Sequence, residues 1–231
     1  MISPEFWRRY FKVYDVLNLL PTYRQLLSDV CQELGAKQGA LVLDAGSGTG
    51  NLALMIEEAG SYVVALDYCR EALDSHRSKD GHSDLILADL ARQLPFKDGC
   101  FDKIVSNNTL YALSADDQRD TLKELHRVLK PGGKIVLANP RTGLNPLSIC
   151  WNVIADNIQA EGLWTTARKM AALMPDMIKM AYHNRKLRTE SQHQRFELDE
   201  QRALLADAGF RLVSETKLVY SHQGVLNSGY K

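Results

Sequence analysis

The stretch Leu41-Val42-Leu43-Asp44-Ala45-Gly46-Ser47-Gly48-Thr49-Gly50 constrains this chain more than any other. An apolar run reads as a strand, and the glycines after it mark a turn whose dihedrals a Cβ forbids and whose backbone a ligand can approach closely. Leu52, Met55, Ile56 and Ala59 then fall at helical spacing, with Gly60 in the position of a C-cap glycine. The rhythm continues. Apolar runs at 62–66, 85–87, 103–105 and 134–138 alternate with helical stretches, the pattern of βαβ units around a parallel sheet. Before the last of these runs, Ser114 and Asp117 resemble a capping box, Leu122, Leu125, Val128 and Leu129 form an apolar stripe, and Pro131-Gly132-Gly133 is expected to end the helix.

Around that centre the chain divides into four parts of one expected domain, 1–231. Residues 1–38 read as two helices, one with Phe6, Tyr10, Val13, Tyr14 and Leu17 on a face, the other with Leu26, Leu27, Val30 and Leu34 before Gly35. The cofactor-binding core is expected over 39–144, a helical cap over 145–197, and a closing helix near 199–208 with strands near 210–220 and 225–230 over 198–231. The cap carries Trp151, Trp164 and Met174 and is broken by Pro146 and Pro175.

Charge and composition narrow the partners. The 231 residues hold 28 basic and 28 acidic side chains, so no overall positive field gathers nucleic acid, and none is expected as a partner. No apolar run approaches the roughly 20 residues of a membrane span, and no signal pattern opens the chain, so a cytoplasmic protein is expected. Four scattered cysteines, Cys31, Cys69, Cys100 and Cys150, form no C-x-x-C pair; reduced thiols and no metal are expected.

The chemistry sits at strand ends. The glycine spacing departs from the dinucleotide fingerprint G-x-G-x-x-G, and Asp44 precedes the first glycine. A pyrophosphate wants N–H donors whereas an ammonium wants acceptors, so Asp44 points to an amino-acid-bearing cofactor, the alternative being a carboxylate that only caps the turn. Asp67 closes the second strand, where a carboxylate can accept both hydroxyls of a ribose, and Asp89 closes the third, either facing an adenine amine or forming a turn. Open α/β sheets bind ligands along that edge.

With those residues and the blocks Phe101-Asp102-Lys103-Ile104-Val105-Ser106-Asn107 and Leu125 to Gly133, the chain resembles the class I S-adenosylmethionine-dependent methyltransferases over about residues 40 to 140. Tyr14-Asp15-Val16-Leu17-Asn18 and Leu94-Pro95-Phe96 are most similar to its small-molecule branch, which includes the ubiquinone and menaquinone methyltransferases. The resemblance implies a Rossmann-like α/β fold, a mostly parallel seven-stranded sheet with helices on both faces and a helical insertion after the fifth strand. It implies S-adenosylmethionine as cofactor. Gly46, Ser47 and Gly48 would flank its methionine part, Asp67 the ribose, Tyr68 the adenine face, Asp89 and Leu90 the adenine edge, and Asn107 the sulfonium. Tyr14, with Tyr10, would close over the cofactor carboxylate or the substrate, or else pack in the core.

Asn107-Asn108-Thr109-Leu110 stands where a (D/N)-P-P-(Y/F) motif would signal methylation of a nucleic-acid base, which disfavours that acceptor. A small-molecule acceptor with a sizeable apolar part is expected, with the cap as its lid. The cap's apolar residues are equally compatible with a core of its own or with an amphipathic face resting on a membrane. Candidate bases are Tyr111, just past the fourth strand, and His126, His183 and His193, with Tyr111 preferred. The rival readings are an NAD-type Rossmann enzyme, which lacks its fingerprint here, and a non-catalytic S-adenosylmethionine-binding protein. Oligomeric state is not legible.

Overall fold

Helices pack against both faces of a seven-stranded sheet of order β3-β2-β1-β4-β5-β7-β6. The computed structural model describes residues 4–79, 81–142 and 196–231, and between the last two stretches positions 162, 164, 165, 168, 171, 174, 175, 178–180, 182 and 183. The strands are β1 (Leu41–Ala45), β2 (Tyr62–Asp67), β3 (Asp84–Leu87), β4 (Phe101–Asn107), β5 (Leu129–Pro140), β6 (Lys217–Val219) and β7 (Gly224–Tyr230). The first five pair in parallel, whereas β7 runs antiparallel to both β5 and β6. The sheet order reverses between β1 and β4. That switch point opens a crevice beyond the carboxyl ends of the strands.

Helices α1 (Pro4–Tyr14), α2 (Pro21–Leu34), α3 (Asn51–Glu58), α4 (Arg70–Arg77), α5 (Ala115–Val128) and α6 (Glu200–Asp207) complete the described fold. Strand alternation assigns side chains to two cores. Val42, Val63, Val105 and Val136 meet Leu26, Leu27, Val30 and Leu34 of α2 and Leu52 and Ile56 of α3. On the opposite face Leu43, Leu66, Ile104, Ile135 and Leu137 meet Leu122, Leu125 and Val128 of α5 and Leu205 of α6. A third cluster joins Phe6, Trp7, Tyr10 and Val13 of α1 to Cys69 and Ala72 at the start of α4.

Helix α5 starts as its sequence implies, with Ser114 Oγ accepting from the Asp117 N–H at 3.2 Å. It ends sooner. Leu129 already pairs with Phe101, so the helix stops at Val128 and Pro131-Gly132-Gly133 falls inside the strand segment, where the register shifts. The first helix is also shorter than its apolar spacing suggests, because Leu17 lies in a 3-10 turn over Asp15–Leu19. The stretch expected as a strand near 210–220 yields only three strand residues. Arg211 still pairs with Tyr230 in an isolated antiparallel bridge, but Leu212 takes a left-handed φ of 47°, and the Asn227 amide donates to the Ser214 carbonyl and Thr216 Oγ1.

The cap at 145–197, with Trp151 and His193, lies largely outside the described residues. At its base the chain leaves β5 through Thr142, whose N–H donates to the Phe196 carbonyl at 3.0 Å, so exit and return lie side by side. Its described positions from 164 to 183 are helical; Met180 is buried among Phe6, Trp7 and Tyr10, and Trp164 is exposed. Among the described residues, no helix is long and apolar enough to cross a membrane.

The antiparallel edge is tied to α2 by one carboxylate. Glu33 Oε1 accepts from Lys134 Nζ at 2.7 Å and Ser228 Oγ at 2.8 Å, and Oε2 from Lys217 Nζ. Desolvation pushes the Glu33 carboxyl up, but these hydrogen bonds outweigh it and hold it down at about 2. A carboxyl depressed by folding stabilises the fold above its unfolded pKa, and that contribution is lost as pH falls through the folded value. Thermal unfolding across pH 5 to 2 is therefore expected to show a loss of stability that is smaller in Glu33→Gln. The same substitution is expected to cost about 2 kcal/mol near pH 7.

Candidate functional site

Two hydrogen bonds fold the glycine loop back onto β2. The N–H groups of Gly46 and Ser47 both donate to the Leu66 carbonyl, at 2.8 and 2.9 Å. One position further on, the Gly48 N–H donates to Asp67 Oδ2 at 2.9 Å, while Asp67 Oδ1 accepts from the Cys69 N–H at 2.8 Å. Gly46 has a φ of +83°, and a Cβ there would lie 2.3 Å from the Thr109 side chain, so the loop after β1 and the loop after β4 touch only because this residue is glycine.

Asp44 and Asp67 end neighbouring strands and are both sealed from solvent. Burial, then the charge of Asp67, raises the Asp44 carboxyl to about 7. Burial also raises Asp67, to about 6, against the lowering effect of its backbone donors. Each Asp67 oxygen keeps a lone pair after serving the loop, enough to accept a further hydroxyl. Among the described residues Asp44 Oδ2 has no partner, and neither do the buried Ser47 Oγ, Tyr68 hydroxyl and Asn107 Oδ1. Buried polar atoms are almost always satisfied, and four orphans at the carboxyl ends of three adjacent strands mark a place shaped for a polar ligand.

Other expected residues fall less simply. Asp89 Oδ1 accepts from the Ala91 N–H at 3.0 Å, the turn-forming arrangement, in a half-buried position. The Leu90 side chain lies in the core shared with α5, and its carbonyl accepts from Thr121 Oγ1. Tyr14 Oη accepts from Tyr23 Oη at 3.3 Å, and burial pushes its phenol well up. Tyr10 is pushed well up by burial, then by the phenols of Tyr111, Tyr220 and Tyr23, so α1 brings Tyr10 and Tyr14 toward the turn that carries Tyr111. Tyr111 is held by its own N–H, which donates to Asn139 Oδ1 at 3.3 Å.

The two described histidines of the candidate set differ in surroundings. His126, near the C-terminus of α5, packs edge-on against Phe210 with ring centroids 4.9 Å apart. His183 packs on Phe6 and Tyr10. Sequence reading missed Asp15. Its Oδ1 accepts from Thr49 Oγ1 at 2.6 Å and Asn51 Nδ2 at 3.2 Å, and its Oδ2 pairs with Lys79 at 2.8 Å. Lys79 also donates to the Thr49 carbonyl. These partners stand more than 30 positions from Asp15, and no local spacing announces them.

The Phe11 ring completes the cover, since a Cβ on Gly48 would stand 3.0 Å from it. The glycine loop thus lies between β2 below and α1 above.

A family model described as a methyltransferase domain matches residues 43–137, the stretch from β1 through β5. Residues 43–137 thus carry a methyltransferase domain, and the chain is similar to S-adenosylmethionine-dependent methyltransferases. It is 33% identical over 138 residues to a malonyl-[acyl-carrier protein] O-methyltransferase of Pseudescherichia vulneris, covering 59% of this chain and 54% of that one. It is 36% identical over 132 residues to a demethylmenaquinone methyltransferase of Renibacterium salmoninarum, covering 56% and 53%. The chain spans about half the length of the curated relatives it matches. The fold is shared with a SAM-dependent methyltransferase from Aquifex aeolicus at a TM-score of 0.63 and 18% identity, over 100% of this chain and 98% of that one. The cofactor of this family is S-adenosylmethionine, and the orphaned acceptors fit it: Asp44 offers a carboxylate where an ammonium would be held.

A raised carboxyl is more protonated folded than unfolded, so Asp44 favours folding at low pH and that contribution is lost as pH rises from about 4 through about 7. Ligand binding works the other way, because a cation needs the ionised form. Calorimetry is expected to show S-adenosylhomocysteine affinity falling as pH drops below about 7, with proton release on binding near neutrality, and no response to NAD. Asp44→Asn is expected to weaken S-adenosylhomocysteine roughly 10- to 100-fold, the loss of one charge-assisted hydrogen bond. Its ligand-free melting temperature should stay level or rise at neutral pH. A melting temperature that collapses instead would make Asp44 a structural residue.

Proposed function

We propose that this chain transfers the methyl group of S-adenosylmethionine to a small-molecule acceptor with a sizeable apolar part. The observation that carries the reading is the set of orphaned buried acceptors on Asp44, Ser47, Tyr68 and Asn107 at the switch point of the sheet. When bound, the cofactor supplies an electrophilic methyl on a sulfonium. The chain's share of the work is alignment and exclusion of water, because an in-line displacement leaves little covalent work for the protein. Asp44 holds the ammonium, Asp67 the ribose, Gly46 to Gly48 let the ligand lie against backbone, and Tyr68 and Asn107 bound the adenine and methyl ends. The aromatic side chains of α1 roof the same edge.

The names of the relatives support the acceptor class, the malonyl group of an acyl carrier protein in one and demethylmenaquinone in the other. The phenols of Tyr10, Tyr14 and Tyr111 give the acceptor side polar contacts within an apolar wall. Tyr111 is the chain's base or orienting donor for an acceptor that must lose a proton. The segment 145–197, which leaves and rejoins the sheet at one point, acts as the cover on that side within a single domain.

Incubation with methyl-labelled S-adenosylmethionine and a panel of quinone precursors, phenols, acyl thioesters and amines tests the reading. Label is expected in a quinone precursor, phenol or acyl derivative. Cofactor binding without transfer to any of them would leave a binding protein in place of an enzyme. Tyr111→Phe is expected to lower kcat by about 10²-fold or more at unchanged S-adenosylhomocysteine affinity if the phenol moves the proton. Unchanged kcat removes Tyr111 from the chemistry.

A further inference from the structure

A relay of buried amides ends on the turn that carries Tyr111. Leu110–Ala112 form a 3-10 turn just past β4, and Gln118 of α5 clamps it, Nε2 donating to the carbonyls of Leu110 at 3.0 Å and Leu113 at 3.3 Å. The Tyr111 N–H donates to Asn139 Oδ1, near the end of β5. Asn139 Nδ2 donates in turn to Gln201 Oε1 of α6 at 2.7 Å, and Gln201 Nε2 to the Leu137 carbonyl at 3.2 Å and to Asn227 Oδ1 of β7 at 3.0 Å. Asn227 Nδ2 donates to the Ser214 carbonyl and Thr216 Oγ1. Gln118, Asn139, Gln201 and Asn227 are each at most 2% exposed.

The sense of the relay is dictated from its ends. A backbone carbonyl only accepts and a backbone N–H only donates. The carbonyls of Leu137 and Ser214 therefore draw the amide nitrogens of Gln201 and Asn227, which leaves Gln201 Oε1 for Asn139 Nδ2 and Asn139 Oδ1 for the Tyr111 N–H. Turning any one amide over would set like against like where no water can intervene, so the relay has a single arrangement. Apolar side chains would fill the same space without the desolvation cost, so what the amides add is direction more than stability. The turn they hold also reaches the cofactor side. Thr109 Oγ1 donates to the Gly46 carbonyl at 3.1 Å, and the Tyr111 phenol is near enough to Tyr10 and Tyr14 on α1 to raise both. Tyr111 thus stands between the glycine loop and a fixed polar line that runs back to β7.

We propose that Asn139 and Gln201 are positioning residues for Tyr111, fixing its turn so that the phenol is held at the acceptor side of the glycine loop. The proposal rests on the acceptor role given to Tyr111 above. Its test places fluorotyrosine at position 111 of the full chain, adds S-adenosylhomocysteine, and reads the fluorine NMR line. Gln201→Met keeps the volume and breaks the relay in the middle, whereas Asn139→Ala removes its last bond. Leu205→Ala is the control, since it loosens α6 on the core of that sheet face and leaves every amide in place. The line is expected to shift or broaden in Gln201→Met and in Asn139→Ala, each checked for folding by thermal unfolding and S-adenosylhomocysteine calorimetry, and to stay in place in Leu205→Ala. With an acceptor that takes label, Gln201→Met is expected to lower kcat roughly 10- to 100-fold at unchanged S-adenosylhomocysteine affinity, the effect of a misplaced group. In a Tyr111→Phe background it is expected to lower kcat no further. The proposal is overturned by a line that stays put in a folded relay variant, by an equal change in Leu205→Ala, or by the same loss of kcat in both backgrounds, which would make the relay merely structural. Tyr111→Phe alone with unchanged kcat would overturn the role of Tyr111 and this proposal with it, and that single variant tells the two failures apart.

Discussion

Asp44 and Asp67 sit at the ends of adjacent strands, both out of water, and each makes the other harder to ionise. The arrangement is costly to the empty fold, since a buried carboxylate loses hydration that only partners can replace. Asp67 recovers part of that loss through the N–H groups of Gly48 and Cys69. Asp44 Oδ2 recovers none among the described residues. The asymmetry divides the labour: Asp67 builds the loop, and Asp44 is left with unspent affinity for a cation. Everything above the sheet edge follows, because the loop that Asp67 fixes is the floor on which α1 and the Asp15 turn are laid.

The roof is held by charge at one end and by rings at the other. Asp15 reaches Thr49 and Asn51 just past the glycine turn, and Lys79 binds the same three residues from behind α4. At the other end Phe6, Trp7, Tyr10 and Phe11 pack edge to face in a chain of ring contacts. The ion pair is partly exposed, so its own contribution is small. Its two hydrogen-bonded partners, Thr49 and Asn51, matter more, because they fix the turn's register relative to the loop.

The central sheet was legible from residues 41 to 138 because each strand there is an apolar run and each βα turn carries its own punctuation. Helix α5 was legible for the same reason, its Ser114 cap being a local device. The C-terminal strands were not. Their pairing depends on Asn227, whose amide bonds residues 11 and 13 positions away, and on Glu33, which reaches almost 200 positions along the chain to Ser228. Within the site, the strand-end acidic residues announced themselves by position. Asp15 did not, since nothing in Tyr14-Asp15-Val16 distinguishes a carboxylate that latches a distant loop from one that faces solvent. His126, a titratable side chain in a family block, is turned by packing toward Phe210.

Helix α1 is the element on which these separate features converge. One side of it covers Gly48 through Phe11 and meets Cys69 and Ala72 at the start of α4; its rings also receive Met180 and His183 from the segment beyond β5. A short helix of 11 residues has little stability of its own, so its position is decided by what packs on it. Any force that seats or lifts the 178–183 stretch therefore acts on the same rings that roof the glycine loop. Contacts run from Tyr182 through His183, and from Met180, to Phe6 and Tyr10, and then to Phe11 over Gly48. Packing on α1 thus joins Met180 and His183 to the ring that lies over Gly48.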